Sequence, residues 1–110
     1  MRGSLRKDQD IKAVFAKGRG VYDDLAGIKY CQNGLNETRF AIVVGTKVDK
    51  RAVRRNRLKR QIRAILAKNS YVGGFDVVVL TRTAAVGKEF PEIEAHLVKA
   101  LQKAKLIKNG

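Results

Sequence analysis

Lys47-Val48-Asp49-Lys50-Arg51-Ala52-Val53-Arg54-Arg55-Asn56-Arg57-Leu58-Lys59-Arg60-Gln61-Ile62-Arg63 is the stretch on which the reading of this chain turns. Nine of its seventeen residues are basic and one, Asp49, is acidic, so it carries a net +8 of the chain's +14. Leu58, Ile62, Ile65 and Leu66 recur at spacings of three and four, which predicts a helix from about Arg51 to Lys68 with one apolar stripe. At about 100° per residue, Asn56, Lys59, Arg60 and Arg63 fall opposite Leu58 and Ile62. Arg57 lies at the edge of that polar arc, and Arg54 and Arg55 flank the stripe near its start. Packed by the stripe, such a helix presents a positive ridge with an amide embedded in it.

The chemistry of the ridge suits RNA. Guanidinium groups form paired hydrogen bonds with phosphate oxygens and stay charged, lysines add point charges, and the Asn56 amide both donates and accepts. The deep, narrow groove of A-form RNA excludes a helix, so the ridge is expected to read backbone and tertiary shape. A merely solvated helix face usually mixes both signs. This one holds a single sign from Arg51 to Arg63.

Outward from the helix, the pattern alternates between strand and helix. Asp8 is placed to cap a short helix with Ile11, Val14 and Phe15 on one face, ended by Gly18 and Gly20. Residues 25 to 31 and 39 to 45 read as strands joined by a turn around Asn33-Gly34 and Asn36. In the second, Phe40, Ile42 and Val44 share one face and Arg39, Ala41 and Val43 the other. Asn69 and Gly73-Gly74 stop the basic helix, and Phe75 to Thr81, apolar nearly throughout, reads as an interior strand. Pro91 opens a last helix whose face is Ile93, Leu97, Ala100, Leu101 and Ala104. The predicted class is α/β, a small α+β sandwich in the order α-β-β-α-β-α, with residues 1–110 forming one RNA-binding domain.

Composition narrows the function. An apolar share of 45% supports a core, so this is not a disordered basic tail, and the pI of about 10.4 is the footprint of a nucleic-acid binder. No apolar run approaches the roughly 18 residues that would span a bilayer, which argues against a membrane partner. The single cysteine, Cys31, leaves no disulfide framework and no thiolate metal site, consistent with a reducing, cytoplasmic setting. Met1-Arg2-Gly3-Ser4 reads like an expression leader.

The basic block also carries a resemblance. Arg55-Asn56-Arg57-Leu58-Lys59-Arg60 with Arg63, preceded by Thr46 to Val53, resembles the signature of the bacterial ribonuclease P protein. Leu5-Arg6-Lys7, Val14-Phe15, Gly18-Arg19, Arg39 to Val44, and Gly74 to Val79 with Arg82 are similar to further parts of that family. The resemblance implies a left-handed βαβ crossover around the basic helix, although the default connection is right-handed. It implies that Arg54, Arg55, Asn56, Arg57, Lys59, Arg60 and Arg63, with Lys47, Lys50 and Arg51 of the same block, contact a catalytic RNA, one protein per RNA. It also implies a cleft between the first helix and the open sheet face that holds the single-stranded 5′ leader of precursor tRNA. Lys12, Phe15, Tyr30 and Arg82 are the candidates there, since aromatic rings stack unpaired bases and cations follow the backbone. The family usually has an aromatic where Ile11 stands, and Phe15 and Tyr30 are equally readable as core.

No catalytic constellation is visible. His96 is the only histidine, at the edge of an apolar stripe, and the acids are scattered. Glu92 and Glu94 lie two apart and do not share a helix face. The resemblance assigns the hydrolytic chemistry, and the Mg²⁺ it needs, to the RNA subunit. Two rival readings remain: a ribosomal or RNA-chaperone protein using the same helix, and a protein nuclease acting through its own carboxylates.

Overall fold

A computed structural model describes residues 4–108. Its elements are α1 (Asp8–Lys17), β1 (Arg19–Tyr22), β2 (Ala26–Gln32), β3 (Arg39–Val43), α2 (Ala52–Ala67), β4 (Phe75–Thr81) and α3 (Phe90–Lys103), with a 3₁₀ turn at Thr83–Ala85. The observed order is α-β-β-β-α-β-α. The added strand, β1, corrects the reading of Gly18 and Gly20 as a simple stop. Gly18 does close α1, its N–H bonding to the Val14 carbonyl at 2.7 Å, and the chain turns directly into an edge strand. Asp8 is the first residue of α1 rather than its cap; Lys7 stands at the cap. Of the leader-like residues, 1–3 lie outside the described residues, while Ser4 bridges to Phe40.

The sheet order is β1-β2-β4-β3. β2 and β3, consecutive in sequence, do not pair; β4 inserts between them, antiparallel to β2 and parallel to β3. That central position explains why β4 is buried on both faces: Val77, Val78 and Val79 are all fully buried. The parallel β3–β4 pair requires a crossover, and α2 is the helix within it.

Strand alternation then divides the molecule into two layers. Ala26, Ile28, Phe40, Val77 and Val79 face α2 and α3, meeting Leu58, Ile62, Ile65, Leu66, Ile93, Leu97 and Leu101 in the main core. Each such large side chain contributes about 1.5–3 kcal/mol when fully buried. The opposite face carries Val78, Ala41, Cys31 and Leu80 under α1, whose Val14 is fully buried against them together with Leu5. A second anchor of α1 is electrostatic. Arg39 grips the buried Asp76 through two bonds, Nε to Oδ1 at 2.8 Å and Nη2 to Oδ2 at 2.7 Å, and reaches Asp10 of α1 at 3.5 Å. The Asn33 side-chain amide donates to Asp76 Oδ1 at 2.9 Å. The Asp76 hydrogen bonds hold the Arg39 guanidinium above its ordinary pKa.

Candidate nucleic-acid interface

The basic block divides into a loop and a helix. Asp49, its one acid, accepts the Arg51 N–H at 2.9 Å and lies 3.8 Å from the Arg54 guanidinium. Arg55 folds back, its Nη1 donating to the backbone carbonyls of Asp49 (3.1 Å) and Lys50 (2.9 Å). Arg55 therefore fastens the loop to the helix, a task its place in the sequence did not reveal. Cations near a helix N-terminus oppose the helix dipole, and the Asp49 carboxylate beside that end offsets part of the conflict.

The other side chains of the block are largely free. Lys47, Lys50, Arg51, Arg54, Asn56, Arg57, Arg60 and Arg63 are exposed, and Lys59 is half-buried. Among the described residues, Asp49 is the only acid paired with any cation of the block. Asn56, Arg60 and Arg63 line the outermost face of α2, with Val53 beside them at 78% exposure. An unpaired row of like charges is destabilising alone, so it calls for a polyanion.

The second expected surface comes out differently. Phe15 is 41% exposed, and the Lys29 ammonium sits 5.7 Å from its ring centroid while donating to the Phe15 carbonyl at 3.4 Å. Phe15 is thus a surface ring, not core. Lys12, one helical turn earlier, is exposed on the same flank of α1. Arg82 follows β4 in extended conformation and is exposed, its N–H bonded to the Leu25 carbonyl at 2.9 Å. Tyr30 does not join them. Its register places it on the α2–α3 side, half-buried and edge-on to Phe75 at 6.1 Å.

The ring that takes a place on the α1 side is Tyr22, which sequence reasoning missed. It pairs with Gly27 across the β1–β2 ladder, and its ring lies over Gly20 and Gly27. A Cβ at either glycine would stand 2.7 Å from the ring, so both positions need glycine for Tyr22 to lie flat. Its outer face is open, with the residue 55% exposed. The signal available was the pair of glycines flanking an aromatic in a four-residue edge strand, legible only once β1 is recognised as a strand.

His96 is half-buried and held by a hydrogen bond, and among the described residues it belongs to no cluster of metal-ligating side chains. Its Nδ1 lies 2.5 Å from Asp23 Oδ1, tying α3 to the β1–β2 turn. Burial alone would raise the Asp23 pKa, but the bond to His96, with the Leu25 N–H, holds it below the ordinary carboxylate value. Glu92 pairs with Lys88 and Glu94 with Lys68. Among the described residues, no three His, Cys, Asp or Glu side chains converge as metal ligands, and no helix is long and apolar enough to cross a membrane.

The family model described as Ribonuclease P matches residues 2–105. The chain belongs to the ribonuclease P protein family. It is 40% identical over 108 residues to the ribonuclease P protein component of Pseudanabaena sp. (strain PCC 6903), covering 94% of this chain and 91% of that one. The component from Thermotoga maritima is 35% identical over 100 residues, covering 89% and 84%. The structure of the Staphylococcus aureus RNase P protein superposes with a TM-score of 0.87 at 27% identity, covering 98% of this chain and all of that one. The Thermotoga maritima RNase P protein superposes at 0.83 with 29% identity, covering 99% and 100%. Membership makes the chain the protein component of an endoribonuclease of tRNA processing, with ribonuclease P RNA as its partner.

Proposed function

We propose that the α2 ridge and its preceding loop hold the catalytic RNA through Lys47, Lys50, Arg51, Arg54, Asn56, Arg57, Lys59, Arg60 and Arg63, with Arg55 keeping that loop in place. The observation that carries this reading is the row of exposed, single-sign side chains on a helix fixed to the core by four buried apolar residues. On the α1 side, Lys12, Phe15, Tyr22, Lys29 and Arg82 form a track for the single-stranded 5′ leader of precursor tRNA, rings for bases and cations for phosphates. The protein supplies no reacting group. Its carboxylates are scattered, and Asp76, Glu94 and Glu92 are engaged by Arg39, Lys68 and Lys88, which supports assigning Mg²⁺ and hydrolysis to the RNA. One protein serves one RNA, in the cytoplasm.

The direct test is cleavage of a precursor tRNA by a bacterial ribonuclease P RNA, titrated with Mg²⁺ in the presence and absence of this protein. Cationic side chains replace part of the counterion screening, so the Mg²⁺ midpoint falls when the protein is added. An unchanged midpoint with folded, saturating protein overturns the proposal.

A further inference from the structure

A cavity of about 620 Å³ opens where the flank of α2 meets the segment between β4 and α3. Ligand pockets commonly measure about 300–1,000 Å³, so this one is large enough for a nucleotide. One wall is the α2 flank, where Arg54, Arg57, Leu58 and Gln61 recur one turn apart; the other runs from Val86 to Phe90. The lining is chemically divided. Leu58, Val86 and the half-buried Phe90 make an apolar part, while Arg54, Arg57 and Lys88 bring three cations.

Two acids also line it. Asp49 is engaged by the Arg51 N–H and by Arg54, and its side chain is only 11% exposed. Glu89 is free to accept from an exocyclic amine, and Gln61 can both donate and accept. Lys88 pairs with Glu92 only loosely, at 3.7 Å with both side chains about half-exposed, a geometry of little energetic consequence. At Gly87, with φ of +80°, an added Cβ would meet nothing within 4 Å, so the rim has no side chain over it.

We propose that this cavity receives one unpaired nucleotide of the partner RNA, its phosphate on Arg54, Arg57 and Lys88 and its base against Phe90 and the Gln61 amide. The inference rests on the assignment of the α2 ridge to RNA. A bare phosphate would not use the apolar wall, and a duplex cannot enter a concavity. Proteins read RNA chiefly through bases splayed from loops and bulges, stacked on aromatic or guanidinium planes. Arg54 and Arg57 belong both to the ridge and to the cavity, so a backbone tracked along α2 passes its mouth.

The test uses the assembled complex of this protein with a bacterial ribonuclease P RNA, mapped by 2′-hydroxyl acylation. With wild-type protein, one or a few unpaired nucleotides become protected that regain reactivity with Gln61→Ala, and again with Phe90→Leu, which keeps an apolar side chain. Replacing such a nucleotide by an abasic one weakens binding of the wild-type protein by about fivefold or more, and that of Gln61→Ala little further. Melting temperatures of the free variants match wild type. Identical protection by wild type and both variants overturns the cavity assignment. So does binding of AMP to the free protein without any Gln61-dependent protection in the RNA, which would make the cavity a mononucleotide site. Arg60→Ala and Arg63→Ala, outside the cavity, separate the two readings. If they weaken RNA binding and Gln61→Ala changes nothing, only the cavity assignment fails; if they too have no effect, the ridge assignment falls and the cavity assignment with it.

Discussion

The two faces of the sheet use the same kinds of side chain to opposite ends. On the α1 side, Arg39 is committed inward, forked onto a carboxylate that is 7% exposed and reaching across to α1. On the α2 side, Arg57, Arg60 and Arg63 carry the same guanidinium outward, and among the described residues none of the three is ion-paired. The aromatic residues divide the other way: Tyr30, on the α2–α3 side, packs on Phe75, while Tyr22, on the α1 side of the neighbouring strand, lies open over two glycines. Residue type alone does not tell a structural group from one held out for a partner. Register and burial do.

The largest effect expected from breaking this contrast is at Arg39. Arg39→Ala leaves Asp76 buried with only Asn33 to bond it, and losing one member of a buried pair costs about 3–5 kcal/mol. Chemical denaturation measures this directly; a loss under about 1 kcal/mol would mean that water reaches Asp76 and the inward role assigned to Arg39 is wrong. The opposite holds for Arg57, Arg60 and Arg63. Changing all three to Ala leaves stability unchanged and lowers the log–log salt slope of RNA binding by up to about 2, at roughly 0.7 per single-strand phosphate contact. An unchanged slope would show that the ridge does not touch phosphate.

Next in size is the exchange of roles between the two tyrosines. Tyr22→Ala weakens precursor tRNA binding in the assembled complex by several-fold to about a hundredfold, the range for one stacked base, and leaves mature tRNA binding intact. Tyr30→Ala lowers the melting temperature and does not discriminate precursor from mature tRNA. A selective precursor defect at Tyr30 and none at Tyr22 would reverse the assignment.

The smallest effect is at the Asp23–His96 contact. The folded Asp23 carboxyl titrates below its unfolded value, so its contribution is complete above the ordinary carboxylate range and is lost as pH falls through the folded pKa. His96→Gln removes the main downward pull, and the acid limb of the melting temperature against pH moves to higher pH. Superimposable acid limbs for the two proteins would show that the contact does not form in solution.

These contrasts also mark what was legible in the sequence. The basic helix was legible because two signals coincide on it, a 3.6-residue apolar stripe and an uncompensated run of one charge. β4 was legible to the residue because an interior strand is apolar on both faces. β1 was not: four residues, one of them glycine and three exposed, hold no periodicity, and the strand exists because β2 offers it a ladder. Missing β1 hid Tyr22. The contacts of Tyr30 and Arg55 within the fold were hidden for a related reason, since their partners, Phe75 in the neighbouring strand and the carbonyls of Asp49 and Lys50, come near only when the chain folds.

The insertion of β4 between β2 and β3 has a consequence for how the chain reaches this state. Val43 pairs with Leu80, and Ala26 with Thr81, so the centre of the sheet joins segments separated by most of the middle of the chain. Contacts this distant in sequence are slow to form, because loop closure is unfavourable until the pairing offsets it. Until residue 81 has left the ribosome, β3 lacks its strand partner and the β1–β2 hairpin stands alone, marginal in water. The apolar stripe of α2 has no assembled sheet to rest on during that interval. The strongest charge run in the protein is thus translated before β4, which completes the sheet, and before α3, which packs with its apolar stripe in the main core, and the ridge takes its fixed orientation only when both have docked.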